Sequence, residues 1–283
     1  MTGHDRLSTQ IDTRTPNPAR IYDYLLGGKD HYPADRKAAE AILAVAPQAR
    51  QGARENRAFL QRAVRHLAQA GIRQFLDIGT GLPTQGNVHE VAQAITADAR
   101  VVYVDNDPMA HSHANALLTN NIPTTLAVLA DLRQPEAILD HPQVRRLLDL
   151  TRPVGVLLVA VLHFIRDEGH PVRVVARLRD AMAPGSYLVI SHATGDFHPQ
   201  AGAKVTQVYR QASAPLVLRT REAIERFFDG FDLIEPGLVQ PAAWRPDPGP
   251  VSPSAGGFYS GVGRLTHQTP IDEGGEANPQ GRR

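Results

Sequence analysis

From Gly71 onward the chain alternates short, almost wholly apolar runs with amphipathic segments, and this alternation restricts the fold more than any other feature. RQFLDI (73–78), RVVYVD (100–105), TTLAVLA (124–130), VGVLLVAVL (154–162) and SYLVIS (186–191) read as strands. The segments between them read as helices, including 88–95, with Val88, Val91, Ala92 and Ile95 on one face, and 172–183. Strands that are apolar throughout must be covered on both faces, which points to a doubly wound α/β fold around a mostly parallel sheet. Near the end, FDLIEPGLV and GFYSGVGRL bracket the proline-rich PAAWRPDPGPVSPSAG. That pattern reads as an antiparallel hairpin at the sheet edge, with an excursion placed to line a pocket.

Ahead of the sheet, residues 16–70 read as a helical cap. Asn17 is placed to cap a helix starting at Pro18 and ending at Gly27 and Gly28, and Pro33 opens a second helix. A third, from about 51 to 70, turns Ala53, Leu60, Ala63, Val64 and Leu67 to one side. Asn56 interrupts that apolar stripe. A buried carboxamide without partners costs about 1–3 kcal/mol, so a polar group should meet it, either loop backbone or a ligand. Residues 1–15 read as a disordered N-terminus and 266–283 as a flexible tail, leaving 71–265 for the sheet domain.

The overall charge removes several classes of function. With 30 Lys+Arg against 29 Asp+Glu, the formal net charge is +1, which argues against nucleic acid as a partner. A local excess lies in residues 1–73, and Arg50, Arg54 and Arg65 share one side of the third helix. The sequence has no apolar run of membrane-spanning length and no secretory leader pattern, so a cytoplasmic location without a membrane partner is expected. It has 0 cysteines, which excludes thiolate metal sites and covalent chemistry through sulfur. No metal site is expected: His111 and His113 diverge on a helix, and His192 and His198 lack a third ligand. A homo-oligomer is compatible with the sequence.

Ligands in such a sheet bind where the first strand turns into its helix. Here that turn is DIGTGLPT, 77–84, in which Thr84 stands where a dinucleotide fingerprint needs its third glycine. Asp77 would repel a pyrophosphate, and Pro83 removes an N–H that phosphate would use. The helix starts late, with Asn87 as cap and Glu90 closing a capping box. The same features suit a ligand that is cationic near the turn, such as S-adenosylmethionine with its ammonium and sulfonium. Asp105, at the end of the second strand, is placed to grip ribose hydroxyls, and Asp131, after the third, to accept from an adenine amino group. Asp77 and Asp131 could equally be turn formers, and Asp107 reads as the cap of a helix starting at Pro108.

The stretches ARIYDYLLGGKDHYPADR, ENRAFLQRAV, QFLDIGTGLPT, VVYVDNDP, VLHFIRD, APGSYLVISH and RFFDGFDLIEPGLV resemble the actinobacterial S-adenosylmethionine-binding methyltransferase family long labelled a domain of unknown function. The likeness runs from about Pro16 to Leu265. It implies a class I, Rossmann-like, seven-stranded sheet whose last strand is antiparallel. It also implies a cofactor cradle at Asp77, Gly79, Asp105 and Asp131, with Thr80, Gly81, Asn106 and Leu132 as neighbouring cofactor positions. S-adenosyl-L-homocysteine would be the product. Asn56 and Arg57 are candidates for the methionine carboxylate. His163, directly after the buried fourth strand, could be a base, a substrate contact or a capping residue, with Tyr22 the second catalytic candidate. Tyr24, Lys29, Asp30 and His31 are candidates for closing over the substrate. Tyr22 and Tyr24 are two apart on a helix, so only one can face inward. Two functions remain open: a methyltransferase acting on a small molecule, and a non-catalytic binding protein using its arginine face for regulation or assembly.

Overall fold

The computed structural model describes residues 11–83, 86–117, 123–248 and 256–267. Thr84 and the tail beyond 267 lie outside the described residues. The helices are α1 (Pro18–Leu26), α2 (Pro33–Val45), α3 (Ala49–Gln69), α4 (Val88–Gln93), α5 (Pro108–Leu117), α6 (Pro135–Leu139), α7 (Pro142–Leu147), α8 (Pro171–Asp180), α9 (Pro199–Tyr209) and α10 (Arg221–Glu225). The strands are β1 (Gln74–Ile78), β2 (Arg100–Asp105), β3 (Thr125–Leu129), β4 (Gly155–Val159), β5 (Tyr187–Ala193), β6 (Asp232–Leu233) and β7 (Phe258–Arg264). They form one sheet in the order β3-β2-β1-β4-β5-β7-β6. β1 to β5 are mutually parallel, while β7 runs antiparallel to both β5 and β6. The fold is that of class I methyltransferases, and the strand order reverses between β1 and β4, where such sheets open a crevice at their carboxyl ends.

The strand alternation of period two divides the core cleanly. Leu76, Ile78, Val102, Val104, Val156 and Leu158 face α6, α7 and α8. Phe75, Val101, Tyr103, Leu157 and Val189 face α3 and the buried Trp244. A third cluster, with Ile21, Ile42, Tyr209 and Leu216, joins α1 and α2 to α9 above the carboxyl edge. The helical cap expected over 16–70 therefore divides. Phe59, Leu60, Ala63, Val64 and Leu67 dock α3 on the sheet as an ordinary flanking helix, and only α1 and α2 rise over the crevice.

Three local expectations change. β4 stops at Val159 instead of Leu162, because Ala160 takes a positive φ of 59° and swings the chain away from the sheet. Alanine has no preference for that conformation, so the sequence carried no sign of the stop. Residues 11–15 are tied down: the Arg20 guanidinium donates to the carbonyls of Asp12 and Thr15, at 2.8 and 2.9 Å. The proline-rich insert packs against α3 instead, burying Trp244, with Arg62 donating to the carbonyls of Pro241 and Trp244. None of its described residues borders the crevice.

Candidate active site

Above the carboxyl ends of β1 to β5 lies a cavity of about 1030 Å³. Its floor begins at the turn after β1, where Gly79 and Gly81 both take positive φ, 76° and 65°. A side chain at Gly79 would also collide with Val161, whose Cγ2 lies 2.4 Å from the position of a Cβ. Glycine is therefore required there by both conformation and space. The Gly79 N–H donates to the carbonyl of Val104 at 2.8 Å, and the Thr80 hydroxyl reaches the Asp77 carbonyl at 3.1 Å. These bonds bring the turn against the end of β2.

Asp105 completes that junction, accepting from the Gly81 N–H at 2.7 Å and the Asp107 N–H at 2.9 Å. Burial pushes its carboxyl up to about 6, against the pull of those donors and of the Asn106 N–H. Asp77 is buried beside it. Burial pushes this carboxyl up to about 7; the Arg57 guanidinium draws it down, and the Asp105 carboxylate adds to the rise. Asp131 follows β3 with both oxygens bound by the Arg133 side chain. Burial opposes its charge, but the Arg133 side chain and N–H prevail and hold it below the usual range. Asp107 accepts from the Met109 N–H at 2.9 Å, capping α5 as expected. Its other oxygen is buried without a hydrogen-bond partner, 3.8 Å from Arg20.

The opposite wall comes from α1 and α3. The Tyr22 hydroxyl donates to the carbonyl of Ala53 and accepts from the Asn56 amide, both at 2.9 Å. Both capacities of that hydroxyl are thus used, and burial keeps its pKa above the ordinary value. Asn56 does meet a polar group, but only through its Nδ2; its Oδ1 is buried with no partner. Next to it, Arg57 donates through Nη2 to Gly86 and Asn87, while its buried Nε has none. Each buried unsatisfied group costs on the order of 1–3 kcal/mol. An unused acceptor and an unused cationic donor thus stand on consecutive residues lining the same cavity as the Asp77 carboxyl.

His163 lies on the far side of the turn and lines the cavity, 3% exposed. Its Nδ1 accepts from the Ala193 N–H at 3.1 Å, so the neutral ring carries its proton on Nε2. Burial lowers its pKa well below the ordinary 6.5, with His192 and Arg219 adding to the fall. Both nitrogens of His192 are engaged, Nδ1 with the Ala193 carbonyl and Nε2 with the Arg219 guanidinium. Arg219 also holds the loop after β4, donating to the carbonyls of Leu162 and Ile165 and to Asp167.

The other cap candidates stand elsewhere. Tyr24 turns away from the cavity as the complement of Tyr22, reaching Glu40 at 3.3 Å and lying under the Arg50 guanidinium. Lys29 is exposed. The Asp30 N–H and the His31 ring both bond the buried carboxylate of Asp23, at 2.9 and 3.0 Å. A Cβ on Gly28 would fall 1.9 Å from that carboxylate. The GGKDH linker is thus a joint folded around Asp23, and none of Tyr24, Lys29, Asp30 and His31 borders the cavity. Asp23, Tyr209 and Arg219 were not singled out by sequence. Asp23 carried one signal, the glycine pair four residues later; Tyr209 and Arg219 reach the site through tertiary packing alone. In the arginine row, Arg50 packs on Tyr24 and Arg65 pairs with Asp247.

Among the described residues no helix is long and apolar enough to cross a membrane. A family model described as S-adenosyl methyltransferase matches residues 4–266. A DUF574 family protein from Streptomyces avermitilis is similar in structure with a TM-score of 0.86 and 45% identity, over 90% of this chain and 99% of its own. A candidate methyltransferase from Thermobifida fusca gives 0.84 and 46%, over 90% and 97%. No curated protein matches the chain.

Proposed function

The chain belongs to the S-adenosyl methyltransferase family, and from that premise we propose that it methylates a small molecule held beneath α1 and α2. The observation that carries this reading is one continuous cavity of about 1030 Å³ that runs from Asp131 and Asp105 past Asp77 to His163 and Tyr209. Pockets for one small ligand span roughly 300–1,000 Å³, so this one stands at the upper end of that range, and its two ends differ in chemistry as a cofactor and a modest acceptor would require.

The chemistry of the walls fits the cofactor. The unpartnered Asn56 Oδ1 and the Asp77 carboxyl suit an ammonium, and the unpartnered Nε of Arg57 suits a carboxylate. Asp105 retains lone pairs for ribose hydroxyls beyond its two backbone donors. Asn106, Asp131 and Leu132 line the remaining end, where Asp131 shares its charge with Arg133. Gly79, Thr80 and Gly81 let the backbone approach closely. When bound, S-adenosylmethionine supplies an electrophilic methyl carbon on its sulfonium. The protein's own part is to orient the acceptor and exclude water, which by itself can provide much of the rate. Tyr22, with its hydroxyl fully engaged, serves in this reading to aim Asn56. His163 orients the acceptor through its Nε2–H instead of removing a proton, since its Nδ1 is occupied.

Calorimetric titration with S-adenosylmethionine, S-adenosylhomocysteine and NAD tests the cofactor assignment. The first two should bind and NAD should not. Labelled methyl transfer to a library of small acceptors then tests the substrate class. Binding of NAD alone, or transfer only to macromolecules, would overturn the proposal.

A further inference from the structure

The cavity beyond Asp77 differs in chemistry from the half that holds the aspartates. Its walls come from the loop after β4, from β5, α9, β7 and the segment 213–218. Phe164, Ala193, Val205, Leu218 and Phe258 make it apolar. The ionisable lining residues these elements contribute besides His163 and Tyr209 are Arg166, Glu168 and His198, all exposed at the rim. A ligand that carried a charge inward would find no counter-charge there, and an unpaired buried charge is strongly unfavourable.

Aromatic rings frame this space. The His163 ring lies 4.4 Å from Phe164 and 6.0 Å from Phe258, and Tyr209 lies 5.5 Å from Phe164, centroid to centroid. Such distances are those of stacked and edge-on ring pairs, so a further flat ring has faces and edges to meet. Besides Thr194, whose hydroxyl accepts from the Asp196 N–H, and the exposed Ser213, two buried side chains bring polar atoms to this wall. The His163 Nε2–H and the Tyr209 hydroxyl have no hydrogen-bond partner among the described residues, on side chains 3% and 7% exposed. Burial holds the Tyr209 hydroxyl above its ordinary range, so it too is neutral and can donate. Two unpartnered donors on one largely apolar wall select for a hydrogen-bond acceptor and against its hydrocarbon counterpart.

We propose that the substrate is an uncharged aromatic molecule, and that its ring nitrogen or carbonyl oxygen is received by the Nε2–H of His163 and the hydroxyl of Tyr209. The proposal rests on the methyl-transfer reading above and narrows it. In it His163 and Tyr209 are substrate contacts, and His192 and Arg219 are positioning residues behind His163. The Ala193 N–H fixes the imidazole tautomer, so exchanging its proton position would set two N–H groups against each other.

Ligand-observed NMR titration of the protein saturated with S-adenosylhomocysteine tests this with three probes of one shape: quinoline, naphthalene and 2-naphthoate. Quinoline should bind at least about tenfold more tightly than either of the others, the size of one well-made buried hydrogen bond. In His163→Phe the preference for quinoline over naphthalene should shrink, with naphthalene itself changed by less than about threefold. His163→Gln, which can still present an N–H, should recover part of the preference. A purely structural role would weaken both probes together. The histidine ¹⁵N spectrum should show the Nε2–H tautomer for His163 across neutral pH. Equal binding of quinoline and naphthalene, tighter binding of 2-naphthoate, or no binding by any probe overturns the proposal. Failure of S-adenosylhomocysteine to bind in the same samples would instead remove the methyl-transfer reading beneath it.

Discussion

The two halves of the cavity are built in opposite ways. Under β1 to β3, each strand delivers an aspartate at its carboxyl end, and charge is gathered: Asp77, Asp105 and Asp131 stand with Arg57 and Arg133. Beyond β4, buried charge is kept off the cavity surface. The one buried guanidinium there, Arg219, lies behind His192 and spends its donors on loop carbonyls. In the proposed reading the first half holds a ligand that is both cation and anion, and the second holds something neutral. If this division is real, substitutions in one half should affect its own ligand and leave the other's binding nearly untouched.

The largest effect is expected at Arg219, as a loss of stability. Arg219→Ala would strip partners from the Leu162 and Ile165 carbonyls and from His192. Breaking such a buried cationic network costs about 3–5 kcal/mol, which urea denaturation would read directly. Arg219→Lys should lose less, and its S-adenosylhomocysteine affinity should stay within about threefold of wild type. A parallel collapse of cofactor binding in Arg219→Lys would mean that the halves are not separable. Next comes Asp105→Ala, which removes the acceptor for the Gly81 and Asp107 N–H groups along with its remaining lone pairs. With hydrogen bonds to charged groups worth about 1.5–3 kcal/mol each, cofactor affinity should fall about 100-fold by calorimetry. Quinoline binding at saturating cofactor should survive.

The same contrast decided what could be read from the sequence. The cofactor half was legible because its parts are local: an acid at a strand end, glycines that permit a turn, a capping box at Asn87 and Glu90. The strand pattern also located the sheet, since buried parallel strands announce themselves as apolar runs. The substrate half was mostly illegible. Tyr209 ends a helix that looks like any surface helix, and Phe258 opens the strand next to the sheet's edge; only α2 packing on α9, and β5 pairing with β7, bring them to His163. Tyr24, Lys29, Asp30 and His31 stood out as a cluster of polar residues, but the cluster turns inward on Asp23 to join two helices. An unusual residue mixture can thus serve a joint as well as a site. Asn56 was the exception, because a polar residue on an apolar stripe conflicts with its own helix, and that conflict lies on the cavity wall.

A smaller effect is expected at that residue. Asn56→Ala removes the unpartnered Oδ1 and one bond to Tyr22. The fold should lose only about 1 kcal/mol, while S-adenosylmethionine affinity should drop about tenfold. That ratio separates a ligand contact from a structural one: a large loss of stability with unchanged affinity would place Asn56 among the packing residues.

The smallest effect is one of pH, and it sharpens the contrast because only the charged half should show it. Asp77 and Asp105 stand at about 7 and about 6 in the ligand-free protein, against an ordinary 3.8. The unfolded chain gives up these protons near 3.8, while the fold retains them until pH 6–7. Their contribution to ligand-free stability is therefore fully present below 3.8 and is lost as pH rises through the folded values. A bound cation favours the ionised carboxylates, so cofactor binding releases protons in the same window. S-adenosylmethionine affinity should then rise several-fold from about pH 5.5 to about pH 8 and level off, as each tenfold change in proton concentration shifts a linked equilibrium by at most tenfold per proton. Calorimetry in buffers of different ionisation enthalpy would count the protons released, and Asp77→Asn should flatten the profile. Quinoline binding to the cofactor-saturated protein, measured in buffers from pH 6 to pH 8, should not follow that curve, once quinoline's own titration below this range is allowed for. A matching slope would show that the second half of the cavity shares the ionisation of the first.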